Sequence, residues 1–268
     1  LEVASQIQKT LLPEGISSFP GLEIDAYYKA ASRIGGDLYD AFDVGNNKYC
    51  IVVADVSGKG IPASLVMSML RTVIRIFAKG GSSAREVLLK VNDYLQGNIP
   101  PGIFITLYLL LYDSENKQIS AVSAGHNPML YFKHDTGKIE RINPAGMPLG
   151  LPESEGRCYA DGLKQVELSL HEGDVFMLYT DGVTDVANDQ GQKLGIEQLE
   201  YSLSNIILQT PDSGAERISR EMTAALLEFA NNREFTDDLT FIAARSVSKV
   251  LADKDAKSSN EPVLADSN

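Results

Sequence analysis

The segment CIVVAD ends in an aspartate, Asp55, and passes straight into VSGKG. An apolar run of this kind reads as a buried strand, and a carboxylate at its end has to be paired, hydrogen-bonded or bound to metal. The pattern recurs. VFMLYTD ends at Asp181, and TDDLTFIAA begins with Asp237 and Asp238. Asp37 adds a fourth position, after Gly35 and Gly36. Strand ends from distant parts of a chain can meet on one rim, where carboxylates repel unless cations neutralise them. Oxygen donors alone select the hard ions Mg²⁺ or Mn²⁺. The glycines beside these aspartates allow close backbone approach. A lone aspartate at a strand end is ordinarily a turn former or helix cap. From spacing alone, that reading and a metal site both stand.

The remaining segments set the architecture. Apolar or alternating runs at 22–31, 38–55 (broken by the turn VGNNK), 103–112, 117–124, 129–133, 138–142, 174–180 and 238–246 predict strands. Helical periodicity covers 61–78, 84–95, 195–208 and 212–230. Residues 1–12 carry Leu1, Ala4, Ile7 and Leu11 at helical spacing, near the seam of a coiled coil. Strands in runs and helices in pairs argue against an alternating parallel sheet. They predict an α+β fold of mainly antiparallel sheets with helices on their outer faces. Residues 143–163, rich in Pro and Gly, read as loop. The expected organisation is a linker helix (1–13), one domain (14–247) and a polar tail (248–268). The chain starts at Leu, so we expect a fragment of something longer.

Composition excludes some classes. With 268 residues and 44% hydrophobic content the chain can build a large core. A net charge of −12 without a basic stripe excludes nucleic acid as the expected partner. Cys50 and Cys158 form no C-x-x-C pair, and the three histidines offer no zinc triad. A reducing cytoplasm fits, with a longer parent that could be tethered to a membrane.

ASRIGGDLYD (31–40), VVADVSGKGIPASLVM (52–67), SAGHNPMLY (123–131), MPLGL (147–151), LYTDGVTD (178–185) and FTDDLT (235–240) together resemble the metal-dependent type 2C serine/threonine protein phosphatases. The resemblance is to the bacterial branch that includes the sporulation stage II E phosphatase and stress-response sigma-factor regulators. It implies two facing, mainly antiparallel sheets flanked by paired helices, with a site for two Mn²⁺ or Mg²⁺ ions at one end. Asp55 would bridge them, with the Val56 carbonyl a further ligand. Asp181 would serve one ion and Asp237 the other. Asp37 would act near the site through water, and Asp238 would bind metal or face the substrate. A water activated between the ions would attack a phosphoserine or phosphothreonine. The implied substrate is a phosphoprotein, an anti-sigma-factor antagonist or similar, under an upstream sensor. The first helix could then form a homodimer.

Rival readings concern single residues. Arg33 and Lys59 are candidates for gripping phosphate, although SGKG lacks the pattern of a nucleotide-binding loop. His126 reads as a general acid or as a turn histidine. The helix 61–77, with Arg71 and Arg75 four apart, reads as a core helix in preference to a membrane-surface stripe. The function alternatives are a catalytically weak phosphatase-fold module that binds a phosphoprotein, and a hydrolase of small phosphoesters.

Overall fold

The computed structural model describes residues 2–13, 16, 18–79, 82–151, 158–231, 233 and 235–248. In chain order the elements are α1 (Glu2–Leu11), β1 (Leu22–Lys29), β2 (Leu38–Gly45), β3 (Lys48–Val56), α2 (Ile61–Ala78), α3 (Ala84–Leu95), β4 (Ile105–Asp113), β5 (Gln118–Ala124), β6 (Met129–Lys133), β7 (Lys138–Ile142), α4 (Tyr159–Gly162), β8 (Gln165–Ser169), β9 (Val175–Tyr179), α5 (Asp181–Thr184), α6 (Gly195–Gln209), α7 (Ala215–Phe229) and β10 (Leu239–Ser246).

Ten strands form two five-stranded sheets, ordered β1-β10-β9-β6-β7 and β2-β3-β4-β5-β8. Every pairing between neighbours is antiparallel. The central strands are buried on both faces, which is why β3 and β4 read as continuous apolar runs. The edge strands β7 and β8 keep exposed polar positions that discourage further pairing.

One core fills the space between the sheets and under α2 and α3, which lie on the second sheet. Another lies under α6 and α7, outside the first sheet. Local signals place the helices. Ser83 accepts from the Glu86 N–H while the Glu86 side chain accepts from the Ser83 N–H, a capping box that starts α3. Pro62 sits in the first turn of α2. By length and composition α2 could cross a membrane. Here Ala63, Val66, Met67, Leu70, Val73 and Ile74 are buried beneath it, as expected of a core helix.

The structure corrects the sequence reading in four places. Tyr159–Gly162, inside the expected loop 143–163, form the short helix α4. Residues 165–169, left without an element, form β8 on the edge beside β5. The turn after β9 closes into the short helix α5. In α1 the expected apolar stripe does not face the domain as a unit. Gln8 is buried, Ala4 and Leu11 are half-buried, and Val3 and Ile7 are 68% and 56% exposed. Leu1 and the tail from 249 onward lie outside the described residues.

Candidate active site

Antiparallel pairing brings the aspartates together. In the second sheet Leu38 opposes Ala54, so the residue before β2, Asp37, lies beside the end of β3 at Asp55 and Val56. In the first sheet Phe241 opposes Tyr179, so the residues after β9, Thr180 and Asp181, meet those before β10, Asp237 and Asp238. The two groups share one rim of the sandwich and are joined across it. Thr180 Oγ1 donates to Asp37 Oδ2 at 2.8 Å, and Thr240 Oγ1 donates to the same oxygen at 2.5 Å.

Burial and like charge govern the protonation of this rim. Asp37 is only 2% exposed. Burial, then the charge of Asp55, push its pKa well above the ordinary carboxylate value, against the two threonine hydrogen bonds. Burial, followed by the charges of Asp181, Asp237 and Asp238, raises Asp55 to about 6, while a hydrogen bond from Asp37 opposes the rise. Asp181 is also raised, by burial and then by Asp237 and Asp185.

Close backbone packing shapes the rim. A Cβ on Gly36 would come within 2.9 Å of the Val56 carbonyl oxygen, and one on Gly182 within 1.8 Å of the Asp238 carbonyl oxygen. These two glycines are required by proximity. Asp238 fastens the loop that carries Asp37, accepting from Ala31 N–H at 2.9 Å and Gly36 N–H at 2.7 Å on its two oxygens. Its carboxylate is thus engaged by main chain.

The rim offers oxygen donors alone, the carboxylates of Asp55, Asp181 and Asp237 beside the Val56 carbonyl, a donor set that suits hard ions. Among the described residues, no group of three carboxylate, imidazole or thiol side chains is close enough to hold one ion without waters. Mg²⁺-like ions, which keep several waters, accept such a donor set.

The other candidates fall elsewhere. Lys59 reaches the rim, with Nζ 3.3 Å from Asp237 Oδ1 and donating to the Thr236 carbonyl at 3.1 Å. Arg33 lies outside it. It is exposed, 4.0 Å from Glu2 of α1, and lines a cleft with Ser5, Lys9 and Tyr28. His126 is buried, and its Nδ1 pairs with Thr106 Oγ1 at 2.8 Å. Thr106 stands opposite Asp55 in the ladder. Burial lowers the His126 pKa to about 4, which favours the neutral ring. Cys50 is buried and Cys158 exposed.

Sequence reasoning missed Thr180, Thr240 and Gln8. The threonines flank aspartates in YTDG and DDLT, a signal in plain view. Gln8 donates to the Gly35 carbonyl at 2.7 Å and accepts from its N–H at 3.1 Å, so α1 grips the GGD loop. No hydropathy pattern marks such a residue.

Comparison with known proteins identifies the family and the fold. The chain is 29% identical over 245 residues to the phosphoserine phosphatase RsbU of Bacillus subtilis, covering 91% of this chain and 69% of that protein. It is 27% identical over 246 residues to the phosphoserine phosphatase RsbP of the same organism, covering 90% of this chain and 56% of that protein. Its fold matches the RsbU and RsbW domain structure of Rv1364c from Mycobacterium tuberculosis with a TM-score of 0.75 at 26% identity, over 89% of this chain and 63% of that one. The SiaA PP2C domain of Pseudomonas aeruginosa superposes with a TM-score of 0.75 at 22% identity, over 91% of this chain and 94% of that one. The family model for stage II sporulation protein E matches residues 45–247. The chain belongs to the stage II sporulation protein E (SpoIIE) family of PP2C-fold protein phosphatases.

Proposed function

We propose that this chain hydrolyses phosphoserine or phosphothreonine on a partner protein, with two Mn²⁺ or Mg²⁺ ions as cofactor. The observation that carries this reading is the convergence of Asp55, Asp181 and Asp237 from strand ends of both sheets, with Asp55 and Asp181 raised above the ordinary carboxylate range. When bound, the ions would activate a water and neutralise phosphoryl oxygens. Asp55 would hold both, Asp181 one and Asp237 the other, with the Val56 carbonyl beside Asp55. Asp37, held by Thr180 and Thr240, would act beside Asp55 through a bound water. Asp238 keeps the 31–36 loop in place over the site. Arg33, facing α1, takes no part in this scheme.

The substrate class follows from the relatives RsbU and RsbP, each named a phosphoserine phosphatase. A phosphorylated anti-sigma-factor antagonist or similar signalling protein is the proposed partner. The relatives extend beyond the matched region, and an upstream sensor is proposed to act through α1. Val3 and Ile7, exposed on α1, would supply the contact for a homodimer. The test is hydrolysis of a phosphoserine protein with and without Mn²⁺, and with Asp55→Asn. Activity that survives exhaustive chelation, or a wild-type rate in Asp55→Asn at saturating metal, removes this reading.

A further inference from the structure

Lys59 forms an exposed ion pair across the rim, with a proposed metal ligand as its partner. Its backbone leaves the sheet four residues after Asp55, and its ammonium rests on the opposite side of the rim, at Asp237 and the Thr236 carbonyl. The flanking Gly58 and Gly60 have φ of 99° and 75°, and a Cβ on either would meet nothing within 4 Å. These glycines are therefore needed for the shape of the turn, which directs Lys59 back across the site. The lysine side chain is 65% exposed and that of Asp237 47%, so the pair exchanges readily with solvent.

An ammonium on a carboxylate of this cluster does what a metal ion does there, more weakly. It offsets repulsion among Asp55, Asp181 and Asp237 with one positive charge. A divalent ion on Asp237 and the ammonium cannot share that carboxylate without repelling each other. We propose that Lys59 is a placeholder cation: it holds Asp237 and the Thr236 carbonyl while the ion is absent, is displaced when the ion binds, and then contacts the phosphoryl group. This rests on the two-ion reading above and adds an order to it, in which phosphate binds well only after metal. The turn is short, so the displaced ammonium stays near the rim, and the incoming anion is the next negative group available to it.

The experiment is calorimetric titration of the metal-free protein with Mn²⁺, then of the Mn²⁺-loaded protein with inorganic phosphate. Lys59→Met is compared with Lys133→Met, which removes an equal charge paired at 2.9 Å with Glu140, away from every proposed ligand. Losing one competing ion pair predicts Mn²⁺ binding about fivefold tighter in Lys59→Met. Losing one charged contact predicts phosphate binding about tenfold weaker in the same variant. Lys133→Met should move both constants less than twofold, since its charge reaches the rim only through solvent. Mn²⁺ affinity unchanged or weakened in Lys59→Met overturns the proposal, as does an equal effect from Lys133→Met. Absence of Mn²⁺ binding in the wild-type protein overturns the two-ion reading itself, and the two failures are thereby told apart.

Discussion

The Gln8 side chain closes two hydrogen bonds with the main chain of Gly35, one to its carbonyl and one from its N–H. Gly35 precedes Gly36, whose N–H is held by Asp238, and Asp37 follows. A helix outside the sandwich is thus tied, through one polar side chain, to the loop that carries a buried acid of the site. We hypothesise that α1 tunes the site through this tie. Gln8→Ala leaves two buried main-chain groups without partners and should cost about 1–3 kcal/mol of stability. Its sharper expected outcome is a higher Mn²⁺ concentration for half-maximal activity at a temperature where the variant is fully folded. An unchanged Mn²⁺ requirement there would leave α1 as packing alone.

The raised carboxylates fix a pH dependence. Asp55 moves from 3.8 to about 6 on folding in the metal-free protein, so between these values the folded state holds a proton that the unfolded state has released. Stability from this group therefore falls as pH rises from about 4 to about 6. Asp55→Asn removes the titration, and the difference in melting temperature between wild type and variant isolates it. The variant should gain relative to wild type as pH rises through this window. Saturating Mn²⁺ should reverse the order, because only wild type retains the proposed bridging carboxylate. A difference that is flat with pH would show that Asp55 ionises in the fold as freely as in the unfolded chain.

Much of this site was legible in the sequence for a physical reason. Aspartates that bound continuous apolar runs, as Asp55, Asp181 and Asp237 do, mark strand ends, and antiparallel pairing gathers strand ends on one rim. The same runs defined the central strands, whose double burial suppresses alternation. What stayed hidden had weak local signals. β8 is a five-residue edge strand with polar, half-exposed positions, so no apolar run announces it. Gln8 is polar yet 5% exposed, while the neighbouring Ile7 is open to solvent, the reverse of what hydropathy suggests. Asp238 looks like another ligand by spacing, but its oxygens take main-chain N–H groups 202 and 207 residues away. Such pairings belong to tertiary structure.

A second hidden feature is the tie between α2 and β2. Asp40, with a side chain 1% exposed, accepts from Arg75 Nε and a terminal guanidinium nitrogen at 2.7 Å each, and Arg71 Nε lies 3.0 Å away. The Arg75 guanidinium also stands 4.4 Å over the Phe42 ring. The arginines that suggested a membrane-facing stripe are turned inward onto one carboxylate. Asp40→Asn leaves two cations without their counter-charge. It should cost about 2–3 kcal/mol in denaturant unfolding, below the usual cost for a buried pair because Arg75 remains partly solvated. A loss under 0.5 kcal/mol, the ordinary range for surface changes, would mean the arginines relax into water.

Gly182 tests whether the rim depends on close backbone contact. It follows Asp181, and a Cβ there would lie 1.8 Å from the Asp238 carbonyl oxygen and 3.6 Å from the Asp237 carbonyl carbon. A methyl group cannot be accommodated without moving α5 away from the start of β10. That movement would part Asp181 from Asp237, the carboxylates proposed to serve different ions beside Asp55. Gly182→Ala should therefore lose Mn²⁺ affinity by tenfold or more while still folding at low temperature, since the strain of about 1–3 kcal/mol from overpacking is tolerable. Gly97→Ala is the reference, with φ of 75° and nothing within 4 Å of the added Cβ. It should cost about 1 kcal/mol for the left-handed backbone and leave Mn²⁺ binding unchanged. Equal Mn²⁺ affinity in the two variants would show that the carboxylates find their ions without this contact, and the packing of Gly182 on Asp238 would then be a matter of stability alone.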